Sequence, residues 1–455
     1  MDTLKTPTAL GTERVSKLLM QYAIPAIIAM TASSLYNMVD SIFIGQGVGP
    51  MAISGLALTF PLMNLSAAFG TLVGIGGATL LSMKLGQKDY SSAQNILGNV
   101  FVLNIAIGVV FTVVALPLLD PILYFFGGSE QTVPYAHDYM EVILTFNALT
   151  HLYLGLNAML RSSGHPRQAM IATVATVALN TVLDPIFIYG LGWGIRGAAI
   201  ATVLSQVVSL IWEIRLFSKR DELIHFRRGA FRIRRRIATA SLAIGMAPFL
   251  MNVASCFVVV LINQGLKRHG GDLAIGAFGI SNRLVFIILM VVIGLNQGMQ
   301  PIAGYNFGAR QFDRVRSVLF ITVAYATVVT TLGFIVGMAC PRALVGIFTT
   351  DEELRSIAAR ALRIMVASFP LVGGQMVISN FFQSIGRAGQ ATFLSLTRQL
   401  LYLLPCLLIL PVFFGLSGVW FCMPAADVLA AITAAIMLAR HFRKTKQGAF
   451  NSISS

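Results

Sequence analysis

The 455-residue chain is 56% hydrophobic and only 11% charged, with a mean hydropathy of +0.77. A water-soluble chain of this length needs far more charge to cover its surface, so its natural solvent is lipid. The formal charge of +15 would suit nucleic acid only if it were gathered on one surface, and it is spread over many short segments instead.

Residues 1–13 are polar, and no short apolar core with a small-residue cleavage site follows them. The first apolar run is therefore expected to persist as a helix. Uncharged runs at 18–39, 51–83, 237–266 and 364–385 exceed the ~18 residues that cross a ~30 Å hydrocarbon core. Twelve spans are predicted, at 17–45, 52–83, 94–118, 136–160, 167–190, 196–214, 238–266, 273–305, 316–340, 356–384, 389–413 and 417–439. Several are long enough to tilt or kink, and Pro25, Pro61 and Pro248 are the expected kink points. The 41 glycines suit close helix packing in lipid.

Basic residues gather at alternate connections. Lys5, Arg14 and Lys17 precede span 1, Lys84 and Lys88 follow span 2, and Arg161 and Arg167 follow span 4. A dense run at 215–236 follows span 6; Arg310, Arg314 and Arg316 follow span 8, Arg387 span 10, and Arg440, Arg443, Lys444 and Lys446 span 12. The opposite connections carry Asp120, Glu130, Asp351, Glu352 and Glu353, with Lys267, Arg268 and His269 after span 7 as the exception. This alternation predicts cytoplasmic termini at both ends of a multi-pass protein. The 215–236 run reads as a topology anchor in contact with anionic lipid, and nucleic acid is excluded as a partner. Cys256, Cys340, Cys406 and Cys422 lie in or beside apolar runs, with no Cys/His cluster, and read as small buried hydrophobes.

The two halves match at an offset of about 222 residues: Pro25 with Pro248, Gly86 with Gly308, Gly164 with Gly386 and Gly197 with Gly418. The segment LRSSGHPRQAM (160–170) also matches FQSIGRAGQAT (382–392). Six spans per half return the chain to its starting side, so the halves share one orientation about an axis along the membrane normal. The expected fold is all-α and membrane-integral: a first lobe at 1–216, a basic connection at 217–237 and a second lobe at 238–455, with substrate between the lobes.

An ionisable residue inside a span is costly, which makes it a functional candidate. Asp40 lies five residues before Gly45 and Asp184 six before Gly190, which places both roughly 8–9 Å inside. Asn180 is four residues from Asp184 on the same helix face, and Thr202 on span 6 reaches a similar depth. Pro185 also leaves the Thr181 carbonyl without its helical donor. Carboxylate, amide and hydroxyl oxygens suit a small hard cation, and two close carboxylates that cannot both stay charged suit a proton. The repeat sets Asn263 against Asp40 and Leu404 or Cys406 against Asp184, so ion coupling is expected in the first lobe alone. Tyr36, Asn37, Asn147, His151, Gln206 and Arg283 are candidate substrate contacts, each weighed against a helix–helix hydrogen bond or ion pair, as are Arg398 and Asp427.

Four segments carry a family resemblance: IPAIIAMTASSLYNMVDSIFIGQ (24–46), GGATLLSMKLGQKD (76–89), LNTVLDPIFIYGLGWGIRGAAIAT (179–202) and GLNQGMQPIAGYNFGAR (294–310). Together they resemble the multidrug and toxin extrusion (MATE) family, in its DinF-like and MepA-like bacterial branch. The resemblance implies twelve helices in two six-helix bundles and export of amphipathic, often cationic compounds in exchange for Na⁺ or H⁺. No cofactor is implied. It also implies that Asp40, Asn180, Asp184 and Thr202 fill the cation site, that the protein works as a monomer among membrane lipids, and that it resides in a bacterial cytoplasmic membrane. A lipid-linked oligosaccharide flippase is the nearest rival, and it would need a cationic cavity for phosphate. A membrane-embedded enzyme would need DDxxD or HExxH runs, and the sequence has neither. The two-lobe repeat disfavours a channel.

Overall fold

The computed structural model describes residues 9–227 and 229–451, apart from the side chains of residues 37, 38, 50, 272 and 444–451. Lys5 and Arg228, and the side chains of Lys444 and Lys446, thus lie outside the described residues. Span 1 is Val15–Gly47, span 2 Pro50–Gly86, span 3 Tyr90–Ala115, span 5 Pro166–Gly190 and span 6 Gly194–Phe217. In the second half, span 7 is Arg235–Gly271, span 8 Leu273–Gly308 and span 9 Phe312–Ala339. Spans 4 and 10 are each a bent pair: Val133–Thr145 with Asn147–Ser162 at 59°, and Glu352–Val366 with Phe369–Ser384 at 52°. The last rod, Ala388–Arg443, is far longer than one bilayer crossing, and Gly415 (φ 55°) divides it into spans 11 and 12. Twelve crossings result.

Pro25, Pro61 and Pro248 lie inside continuous helices. The bends at helix breaks fall at Phe146 and at Ala367–Ser368, the second just before Pro370 in the first turn of the next helix, where proline disfavours α geometry in the residue before it. One expectation needs correction: Cys340 is exposed and Cys256 and Cys406 are half-buried, so only Cys422 behaves as a buried hydrophobe. The connections read as plain loops also hold short helices, Leu119–Phe125 and Pro341–Gly346. Lys267, Arg268 and His269 form the exposed last turn of span 7.

The duplication is written into the backbone. Residues with positive φ recur in pairs, Gly49 with Gly271, Lys88 with Arg310, Gly164 with Gly386 and Gly194 with Gly415, at the offset seen in the sequence. Both span bends and both short helices obey it too.

At the end of the molecule that carries Lys84 and Arg310, the halves share one core. Leu18, Leu81, Leu85 and Leu156 pack there with Met299, Ile302, Val318 and Phe381. Toward the other end the core divides: Ile44, Leu62, Leu144 and Ile188 form a cluster of the first half, and Val258, Leu266, Leu362 and Trp420 one of the second. The bundles therefore meet at the basic end and part at the far end. Glycines allow the close approach. A Cβ on Gly86 would strike the Tyr305 carbonyl, and one on Gly308 the Met83 carbonyl; Gly76 faces Ser241 and Gly245 faces Leu72 in the same way.

The helix Ala9–Thr12 reinforces this closure from the first half. Asn306 Nδ2 donates to the Leu10 carbonyl at 2.9 Å, and Arg314 donates to the carbonyls of Leu10 at 3.1 Å and Glu13 at 2.7 Å. The basic connection after span 6 docks on span 3. Asn99 donates to the Arg232 carbonyl at 3.1 Å and accepts from the Arg234 amide at 2.8 Å.

Candidate functional site

Asp40 on span 1, Asn180 and Asp184 on span 5 and Thr202 on span 6 come together inside the first half, all of them buried. Span 5 presents Asn180 and Asp184 on one face because they stand one turn apart. After Pro185 the helix widens into a π-turn, Ile186–Gly190, and the Leu191 amide reaches back to the Ile186 carbonyl at 2.9 Å. The proline ring and this wide turn set the register at which Asp184 faces span 1.

The carboxyls of Asp40 and Asp184 lie close enough to interact electrostatically. Asn180 Nδ2 donates to Asp184 Oδ1 at 3.2 Å and lies 3.3 Å from Thr202 Oγ1. The Tyr36 hydroxyl is 2.9 Å from Thr202 Oγ1, and the buried Tyr139 of span 4 lies beside them. Among the described residues, three acceptor atoms remain without a partner: Asp40 Oδ1, Asn180 Oδ1 and Asp184 Oδ2. Buried acceptors left unpaired are costly, and three converging on one place form a site for a proton or a small hard cation. Two neighbouring carboxyls need one or the other between them.

The remaining candidates fall elsewhere. Asn147 and His151 are fully buried and bonded to Ser66 on span 2, at 2.5 and 3.2 Å. Gln206 accepts from Thr150 at 2.6 Å. These three knit spans 2, 4 and 6 together, the helix–helix role weighed for them above. Arg398 Nε donates to Asp427 Oδ1 at 2.6 Å, and Ser368 donates to Asp427 Oδ2 at 2.9 Å, so that pair is closed on itself. Arg283 is exposed and has no ion-pair partner among the described residues. The side chain of Asn37 lies outside the described residues. Tyr139 was missed because a tyrosine in an apolar run carries no signal of its own; only the fold brings it to Thr202.

The MatE family model matches twice, at residues 25–186 and 243–408, once in each half. The chain belongs to the MATE family. The repeat inferred from the sequence thus coincides with the unit that the family model recognises. The multidrug export protein MepA of Staphylococcus aureus (strain N315) is 29% identical over 424 residues, covering 93% of each chain. The solved MATE multidrug transporter DinF-BH is 35% identical with a TM-score of 0.88, over 94% of this chain and 96% of that one. A multidrug resistance MATE transporter solved in an outward-facing conformation is 25% identical with a TM-score of 0.92, over 98% and 100%. The chain is accordingly a multi-pass membrane protein with the twelve-helix MATE fold.

Proposed function

We propose that this MATE protein is a secondary active multidrug exporter in which Asp40, Asn180, Asp184 and Thr202 hold the coupling ion, Na⁺ or H⁺. One observation carries the ion site: two neighbouring carboxyls that, with Asn180 Oδ1, present three buried acceptors lacking donors among the described residues. Neither ion is a resident cofactor; each enters and leaves as a substrate. Na⁺ would take the three free acceptors with Thr202 Oγ1, whereas H⁺ would bridge Asp40 and Asp184.

The first lobe is 1–216 and the second 238–455, joined by 217–237. The basic end, where the halves share a core, is the cytoplasmic one, with both termini there and the cleft open outward. Amphipathic, often cationic compounds enter between the lobes from the cytoplasm, leave on the far side, and are displaced when the ion occupies the acidic site. Coupling requires ion and substrate to favour different states, and competition for the same two carboxylates supplies that for a cationic drug. Tyr36 acts through Thr202, fixing its hydroxyl toward the site. The protein works as a monomer among lipids in a bacterial cytoplasmic membrane, and it moves substrate without making or breaking covalent bonds.

Ethidium efflux from proteoliposomes under separately imposed Na⁺ and pH gradients tests this reading. One of the two gradients should drive uphill efflux. Transport indifferent to both, or a preference for lipid-linked phosphates over ethidium, would overturn it.

A further inference from the structure

The first half contains a third buried carboxyl, Glu213, in the last turn of span 6. A sequence reading treats an acid there as a headgroup-level residue, yet it is 0% exposed. Its Oε1 accepts from Asn157 Nδ2 at 3.0 Å, and its Oε2 has no partner. No basic nitrogen among the described residues lies within 4.0 Å of it. The Arg161 guanidinium, one turn beyond Asn157 on span 4, donates to Asn157 Oδ1 instead. The contrast with Asp427 is direct, because both oxygens of that acid are taken, one of them by Arg398. A buried acid held by one amide and by no cation is equipped to take up and release a proton.

Glu213 also stands at the foot of a polar seam that begins at the ion site. From Asp184, span 5 continues with Asn180, Thr176 and Thr173, and span 6 continues from Thr202 with Ser205, Ser209 and Glu213, each set stepping by three or four residues down one face. The two faces are cross-linked. Asn180 reaches Thr202 at 3.3 Å, Thr176 Oγ1 lies 2.7 Å from Ser209 Oγ and 3.3 Å from the Tyr153 hydroxyl, and Asn157 joins Thr173 at 3.4 Å to Glu213. Ser205, between the upper and middle rungs, donates to its own helix at Ala201 and can rotate to bridge them. From Thr202 to Glu213 the seam is roughly 16 Å long, so Glu213 does not touch the ion site.

The seam is not part of the duplicated scaffold. With the offset of 222 in span 5 and of 221 in span 6 that the paired glycines give, Asp184, Thr202, Ser209 and Glu213 correspond to Cys406, Met423, Ala430 and Ala434. The second half has Arg398 and Asp427 at the levels of Thr176 and Gln206, and they neutralise each other. Among the described residues, only the first half joins its acids by a seam of hydroxyls and amides.

We propose that Glu213 is a second proton-exchanging group of the first lobe, and that the seam between spans 5 and 6 carries protons between the Asp40–Asp184 site and the basic end. This rests on the ion-site reading and commits it to H⁺. In the transfer, an O–H bond of the Asp40–Asp184 pair breaks and leaves a carboxylate. Thr202, Ser205 and Ser209, on one face of span 6, rotate so that each accepts one proton and passes one on, while the Asn180 and Asn157 amides hold the rungs without relaying, and an O–H bond forms on the free Oε2 of Glu213. Release to water at the basic end restores that carboxylate, and no other bond changes. The titratable groups facing Glu213 are Arg161 and Tyr153, both on span 4. At the basic end, residues 163–168, which follow Arg161, line a cavity of about 440 Å³ with Gln21 and Tyr22 of span 1; Glu213 itself does not line it.

Two measurements test the proposal. In vesicles holding the protein in one orientation, ethidium efflux is followed while pH is varied on one side at a time. Glu213→Gln should flatten the dependence on basic-end pH, leave the dependence on far-side pH and keep ethidium affinity within about twofold of wild type; Glu213→Asp should restore the profile. Independently of any Glu213 variant, infrared spectra of the Asp40→Asn/Asp184→Asn double variant should retain one carboxylic-acid carbonyl band that changes with pH. A wild-type profile on both sides for Glu213→Gln, or no such band in the double variant, would overturn the role of Glu213. Failure of the ion-site reading looks different: single Asp40→Asn and Asp184→Asn variants would keep their far-side pH dependence.

Discussion

Vesicles carrying Asp40→Asn or Asp184→Asn are expected to show ion-driven ethidium efflux no greater than protein-free vesicles, with normal amounts of protein inserted. The substitution keeps the size and planarity of the side chain and removes only its capacity for charge. A buried amide is cheaper to hold in the membrane interior than a carboxylate, so insertion and folding should not suffer. What disappears is the differential: an ion that binds both transport states equally shifts neither. The two variants should fail alike, because the carboxyls interact and act as one site. Efflux at the wild-type rate from either variant, under whichever gradient drives the parent, would remove the acidic pair from the mechanism.

The second large effect is expected at the closed basic end. Gly86→Ala and Gly308→Ala each direct a methyl group at a backbone carbonyl of the opposite half, Tyr305 and Met83 respectively. Backbone cannot step aside as a flexible side chain can, so each substitution should cost the closed arrangement about 1–3 kcal/mol. The clash exists only while the halves are in contact, so each half still folds. The double variant should therefore move toward states parted at this end, by roughly 30- to 2 × 10⁴-fold if the two costs add. Spin labels at the exposed positions Arg167 and Arg387 report this directly, through a longer distance distribution in the variant than in the parent. Unchanged distances with an unchanged melting temperature would show that the glycines do not set the closure.

Much of this was legible in the sequence for a simple reason: in lipid, charge is expensive, so its rare occurrences inside apolar runs are informative. Asp40 and Asp184 stood out on that ground, and Asn180 and Thr202 followed from helical spacing and depth. The repeat was legible because glycine and proline mark backbone geometry, and Gly164 and Gly386 do share a positive φ. Elsewhere the pattern gave no purchase. Tyr139 comes to lie beside Thr202 only through the packing of span 4, and hydropathy does not register a bend such as the one at Phe146. Asn147 and His151 were candidate substrate contacts because polarity inside a span is ambiguous between a ligand contact and a bond to a neighbouring helix. Their shared partner Ser66, 81 and 85 residues away in the chain, could not be read from spacing. Glu213 escaped notice because a residue near a span end is taken to reach water, and here the packing of spans 4, 5 and 6 closes over it.

The most direct test of the central claim measures the ion itself. Ethidium is added to purified protein in weakly buffered detergent solution, and the released ions are counted with a pH indicator and a Na⁺-selective electrode. If a cationic drug and the coupling ion compete for Asp40 and Asp184, wild-type protein will release H⁺ or Na⁺ as the drug binds, and the Asp40→Asn and Asp184→Asn proteins will release neither. Drug binding to wild type without release of either ion, or equal release from the variants, would contradict it.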